Sequence, residues 1–131
     1  MAGPMILIVE DNERNLKLLR DLLDVRGYRT VAARSAEEAL ERARVEAPQL
    51  VLMDIQLPGM DGVAALRELR ALPQTAAVPV VAVTAFAMKD DRERLLAAGF
   101  DGYLEKPIDV RALPSTVNSY LGGAREIDAR R

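Results

Sequence analysis

Apolar residues along this chain fall into short unbroken runs that alternate with stretches of helical spacing. Met5-Ile6-Leu7-Ile8-Val9 is an aliphatic run of strand length, the pattern of a strand buried on both faces, and it ends in Glu10-Asp11. From Glu13 to Arg26, Leu16, Leu18, Leu19, Leu22, Leu23 and Val25 cover nearly half of a helical circumference, more than packing on a sheet requires, and Gly27 closes the helix. Tyr28 to Ala33 predicts a second strand. Ser35 with Glu38 forms a capping box for a helix to about Ala47, stopped by Pro48. Leu50-Val51-Leu52-Met53 is a third strand that delivers Asp54 to a loop over Ile55 to Gly62. Val63, Leu66 and Leu69 recur at helical spacing until Pro73. Pro79 to Val83 is a fourth strand ending in Thr84, and Met88 to Ala98 a helix stopped by Gly99, preceded by Ala85-Phe86-Ala87-Met88, apolar where a loop is expected. Gly102 to Glu105 is a short fifth strand before Lys106-Pro107. Asp109 can cap a last helix to about Leu121 if Pro114 lies in its first turn or two, and Gly122-Gly123 opens a polar tail, 122–131, expected to be disordered.

Strands alternating with helices across short loops predict a flavodoxin-like (βα)5 fold, a three-layer α/β/α sandwich with parallel sheet order 2-1-3-4-5. That order makes the first and third strands neighbours. No internal repeat or low-complexity segment interrupts the pattern.

Composition narrows the chemistry. At 131 residues the chain fits one domain, and with 50% hydrophobic but 4% aromatic residues its core is aliphatic. Eighteen basic against twenty acidic residues leave a net charge of −2 without a basic block, so direct nucleic-acid binding is not expected. Cysteine and histidine are both absent, which excludes disulfides, thiolate metal sites and a Cys or His nucleophile. The longest apolar run falls far short of the ~20 residues of a membrane span, and no export signal is visible, so no membrane partner and a cytoplasmic location are expected.

In such a sheet the carboxyl ends of the strands share one edge, where ligands bind. Glu10, Asp11, Asp54, Thr84 and Lys106 all sit at strand ends. Neighbouring strands lie about 4.8 Å apart, so Glu10, Asp11 and Asp54 should crowd together and repel unless a cation or a proton intervenes. All-oxygen ligands suit Mg²⁺. With a cation to screen the approach, Lys106 for a phosphoryl oxygen and the Thr84 hydroxyl for another, this set can run phosphoryl transfer onto a carboxylate.

Glu10-Asp11, LMDIQLPGMDG, Thr84-Ala85 and Tyr103 with Lys106-Pro107 resemble the receiver domain of two-component response regulators over about residues 5–121, and VEDN with VVAVTAFAMK resembles its single-domain members and the receivers of hybrid histidine kinases. The resemblance implies that Asp54 takes the phosphoryl group from a histidine kinase or phosphotransfer protein. It also implies that Asp11, Asp54 and the Gln56 backbone carbonyl hold Mg²⁺, with Mn²⁺ as a substitute and Glu10 behind them, and that Thr84 and Lys106 bind phosphoryl oxygens. Tyr103 matches an aromatic that swings inward when Thr84 moves, and the Lys106–Pro107 bond is expected to be cis. Where the family often has Asp-Asp, this chain has Glu10-Asp11. Asn15, Leu18, Phe86, Met88 and Pro107 are candidates for a partner surface, and a monomer or weak homodimer is expected.

The expected function is a switch that assists its own phosphorylation and dephosphorylation without being an enzyme on other substrates, signalling to a downstream protein. A Mg²⁺ phosphohydrolase would need a second acid two residues after the nucleophile, where this chain has Gln56. A receiver-like module that binds partners without phosphorylation is the other alternative, which the intact acid, hydroxyl and lysine set argues against. An FMN site would want a phosphate-cradling loop after the first strand, and Glu10-Asp11-Asn12-Glu13 has the wrong sign.

Overall fold

The computed structural model describes residues 3–56, 61–85 and 89–123. Strands β1 (Met5–Val9), β2 (Arg29–Ala33), β3 (Leu50–Asp54), β4 (Val80–Thr84) and β5 (Gly102–Glu105) form one parallel sheet in the order β2-β1-β3-β4-β5. Every residue of β1, β3 and β4 is buried, whereas the edge strand β2 is buried only at Ala33. Central strands covered on both faces need apolar residues on both, which explains why these three read as unbroken runs up to the polar residues Asp54 and Thr84 that end β3 and β4.

Side chains alternate between two cores. Leu7, Val9, Val51, Met53, Val80 and Ala82 pack with the small buried residues of α2 (Ala36–Glu46), with Leu66 and Leu69 of α3 (Gly62–Ala71) and with Leu95 of α4 (Lys89–Ala98). Ile6, Ile8, Leu50, Leu52, Val81 and Val83 meet Leu16, Leu19 and Leu23 of α1 (Glu13–Asp24) and Leu113 and Val117 of α5 (Leu113–Asn118). The result is the predicted three-layer sandwich, and each fully buried aliphatic side chain contributes about 1.5–3 kcal/mol to it. Of the broad apolar arc on α1, only Leu16, Leu19 and Leu23 are buried; Leu18 and Val25 are exposed.

Side-chain oxygens cap three helices. Asn12 accepts from the Asn15 N–H at 3.0 Å, Ser35 from Glu38 at 3.1 Å and Asp61 from Ala64 at 2.9 Å. The capping box at Ser35 is displaced by one residue: Glu38 Oε1 accepts from the Arg34 N–H at 2.6 Å, not from that of Ser35. Gly27 and Gly99 take positive φ after their helices, as stops of this kind require.

The last helix departs from expectation. Asp109 does not cap it; its carboxylate accepts from the N–H groups of Arg111 and Ala112 in a preceding turn, and α5 starts only at Leu113. Pro114 lies in the first turn, and the helix loosens into a π-helical turn over Ser119–Gly123. At the opposite end of the sheet from the strand-end acids, the Arg70 guanidinium ties two loops together. It donates to the carbonyls of Thr75, Val78 and Gly99 and pairs with Asp101 at 2.7 Å, while Asp101 also accepts from the Val80 N–H at 2.8 Å. Among the described residues no helix is long and apolar enough to cross a membrane.

Candidate functional site

Register builds the site. Val9 pairs with Met53 and Asp54 with Val83, so Glu10, Asp54 and Thr84 leave three adjacent strands side by side. Thr84 in turn pairs with Glu105, and its carbonyl accepts from the Lys106 N–H at 2.8 Å. This backbone bond sets Lys106 across the sheet edge from the acids. Its ammonium donates to Asp54 Oδ2 at 2.7 Å and lies 3.5 Å from Glu10 Oε1. The Lys106–Pro107 peptide bond is cis.

The acids differ in their surroundings. Glu10 is 1% and Asp54 3% exposed, whereas Asp11 is exposed. Asp54 Oδ1 accepts from the Gln56 N–H at 2.8 Å, which aims the carboxylate with one oxygen on the loop and the other on Lys106. Glu10 Oε2 accepts from the Asn12 N–H at 3.1 Å, but Oε1 is buried without a hydrogen-bond donor. Burial pushes the Glu10 carboxyl above its ordinary range and the nearby Asp54 charge adds to this, while the Asn12 N–H and the Lys106 charge oppose it. Burial also works against the Lys106 charge, but the hydrogen bond and charge of Asp54 and the charge of Glu10 outweigh it and raise its pKa.

A divalent cation answers this arrangement. One carboxylate oxygen each from Glu10, Asp11 and Asp54 lies within 4.8 Å of the others, and Glu10 Oε1 is a buried acceptor that lacks a donor. All three ligand atoms are hard oxygens, the donor set of Mg²⁺. The residues fit the ion.

Thr84 is fully buried at the same edge. Tyr103 is half-buried on β5, packed against the first core, and its hydroxyl accepts from Arg92 of α4 at 3.1 Å. Nothing in the sequence marks Arg92 as a partner of Tyr103, because the two meet across a helix and a strand. Asn12 likewise carries no signal beyond standing before a helix, yet it caps α1 and holds Glu10. Of the candidate partner surface, Asn15 is half-buried, Leu18 is 38% exposed and Pro107 is exposed; Phe86 and Met88 lie outside the described residues, as does the tail from 124 onward.

With the acids, hydroxyl and lysine on one edge of a β2-β1-β3-β4-β5 sheet, the chain belongs to the response regulator receiver domain family, whose model it matches over residues 6–118. It is 49% identical over 119 residues to the polar-differentiation response regulator DivK of Brucella ovis, spanning 91% of this chain and 97% of that protein. The DivK of Brucella anthropi is 48% identical over the same share of each chain. Among solved structures it is similar to the receiver domain of a sensor histidine kinase from Pseudomonas aeruginosa, in which a magnesium ion is coordinated in the active site cleft. That match has a TM-score of 0.84 at 37% identity and covers 93% of this chain and 100% of the other. The chemotaxis response regulator CheY4 of Vibrio cholerae shares the fold, with a TM-score of 0.86 at 23% identity over 92% of this chain and 100% of that one.

Proposed function

We propose that this receiver acts as a Mg²⁺-dependent phosphorylation switch with Asp54 as its acceptor. The observation that carries the reading is the contact of Lys106 Nζ with Asp54 Oδ2 at 2.7 Å inside a cluster of three carboxylates. Asp11, Asp54 and the Gln56 carbonyl, with Glu10 behind them, would hold a divalent cation, whose charge would let an anionic phosphoryl group approach an anionic nucleophile. Mn²⁺ serves in its place. Asp54 forms the new O–P bond as the N–P bond of a phosphohistidine breaks, and the imidazole leaves on the donor kinase or phosphotransfer protein. Lys106 then exchanges its carboxylate partner for a phosphoryl oxygen, and the Thr84 hydroxyl donates to another.

Drawing Thr84 and Lys106 toward the new charge favours a second packing of α4, β5 and α5, with Tyr103 following Thr84 inward. A switch of this kind needs a differential affinity of only a few kcal/mol. Its product is altered binding to a downstream protein, for which Leu18 and Pro107 are exposed, and the chain works in the cytoplasm as a monomer or weak homodimer. It is not an enzyme on external substrates, because Gln56 replaces the acid that a phosphohydrolase needs to work on a leaving group.

Incubation with acetyl phosphate and Mg²⁺, followed by intact mass and phosphate release, tests this. The expected result is one base-labile phosphoryl group per chain that is lost slowly and is not formed in EDTA. Sustained turnover of small phosphate esters would overturn the switch in favour of a phosphohydrolase.

A further inference from the structure

The fourth helix is weakly held. Among its described residues only Leu95 is buried, with Ala98 partly buried against the same core, and Leu96 is 48% exposed. The neighbouring Arg94 is spent within the helix on Asp91 at 2.7 Å. Arg92 instead reaches off the helix to β5. Its guanidinium carbon stands 5.6 Å from the centroid of the Tyr103 ring, and Nη1 donates to the Tyr103 hydroxyl at 3.1 Å. The same cation therefore holds the ring by its face and by its hydroxyl, and both side chains are half-buried.

Tyr103 occupies the strand that leads into Lys106, and α4 follows the strand that ends in Thr84. The clasp thus joins the two elements that leave the phosphoryl-binding residues. We infer that Arg92 is a positioning residue that clasps Tyr103 and holds α4 on β5, so that it sets how much phosphorylation at Asp54 is needed to release that face for partner binding. This deepens the proposed switch and rests on it. Movement of Tyr103 must give up the hydrogen bond and the ring contact together, so the clasp weights the equilibrium toward the packing seen here.

The chain has three tyrosines, so fluorotyrosine labelling with ¹⁹F NMR reads Tyr103 directly once its resonance is assigned with Tyr103→Phe. Beryllofluoride with Mg²⁺ stands in for the phosphoryl group. In Arg92→Ala the Tyr103 resonance should move, without beryllofluoride, toward its position in the saturated wild type, and the titration midpoint should fall about 3- to 10-fold. Arg92→Lys, which keeps a cation near the ring, should recover part of both changes. A Tyr103 resonance and midpoint in Arg92→Ala equal to those of wild type would overturn the clasp. If Arg92→Ala does not fold, Arg92→Lys is decisive: a midpoint equal to that of wild type overturns the clasp and a lowered one supports it. A wild type that ignores beryllofluoride would count against the Asp54 reading alone, because the Arg92→Ala shift of Tyr103 is measured without it.

Discussion

At the level of single residues, the tension in the site lies at Glu10. Its carboxyl is buried, one oxygen lacks a donor, and burial raises its pKa. A carboxyl that binds its proton more tightly in the folded than in the unfolded chain stabilises the fold fully below its ordinary pKa. That contribution is lost as pH rises through the raised folded value, so the Glu10 charge, once formed, costs stability relative to the neutral carboxyl. Glu10→Gln should therefore melt at or above the wild-type temperature in EDTA at neutral pH and gain less from added Mg²⁺. A lower melting temperature in EDTA would show that the Glu10 charge stabilises the metal-free chain through Lys106. Much of this site was legible in the sequence, since each acid ends an apolar run and a parallel sheet must bring such ends together. The orphaned Glu10 oxygen was not, because it depends on where Asn12 and Lys106 happen to reach.

Elements were legible in proportion to how much of their pattern is local. Strands β1, β3 and β4 need unbroken apolar runs, and Ser35 announces the helix after it. Asp61 could have been read as a cap from its place before Gly62 and Val63. The last helix was misread because Asp109 makes its bonds in a turn ahead of the helix, so a good capping residue satisfied different N–H groups. Arg70 and Arg92 find partners on other elements, which no local spacing encodes. The π-helical turn after α5 carries a contact of the same kind. A Cβ at Gly102 would land on the Tyr120 hydroxyl, so any larger residue at 102 requires that ring to move. Gly102→Ala should cost about 1–3 kcal/mol in chemical denaturation, the usual cost of forcing extra volume into packed structure. Pairing it with Tyr120→Leu should recover most of the loss. No loss in the single variant would mean that Tyr120 moves aside freely.

For the whole molecule, the sheet edge works as one device: β1 and β3 supply the acids, β4 the hydroxyl, and β5 the lysine. No single strand end could serve, and a turn-forming Asp54 by itself would be unremarkable. Mg²⁺ binding to the folded chain alone should raise stability by about 2.7 kcal/mol at a hundredfold excess over its dissociation constant. The central claim is that this edge directs a phosphoryl group to Asp54. Its most direct test is peptide mapping by mass spectrometry after incubation with a phosphorylated kinase or acetyl phosphate and Mg²⁺, on wild type and Asp54→Asn side by side. The account predicts one modified peptide in wild type, spanning Asp54, and no base-labile phosphoryl group in the variant; uptake by Asp54→Asn equal to that of wild type would contradict it.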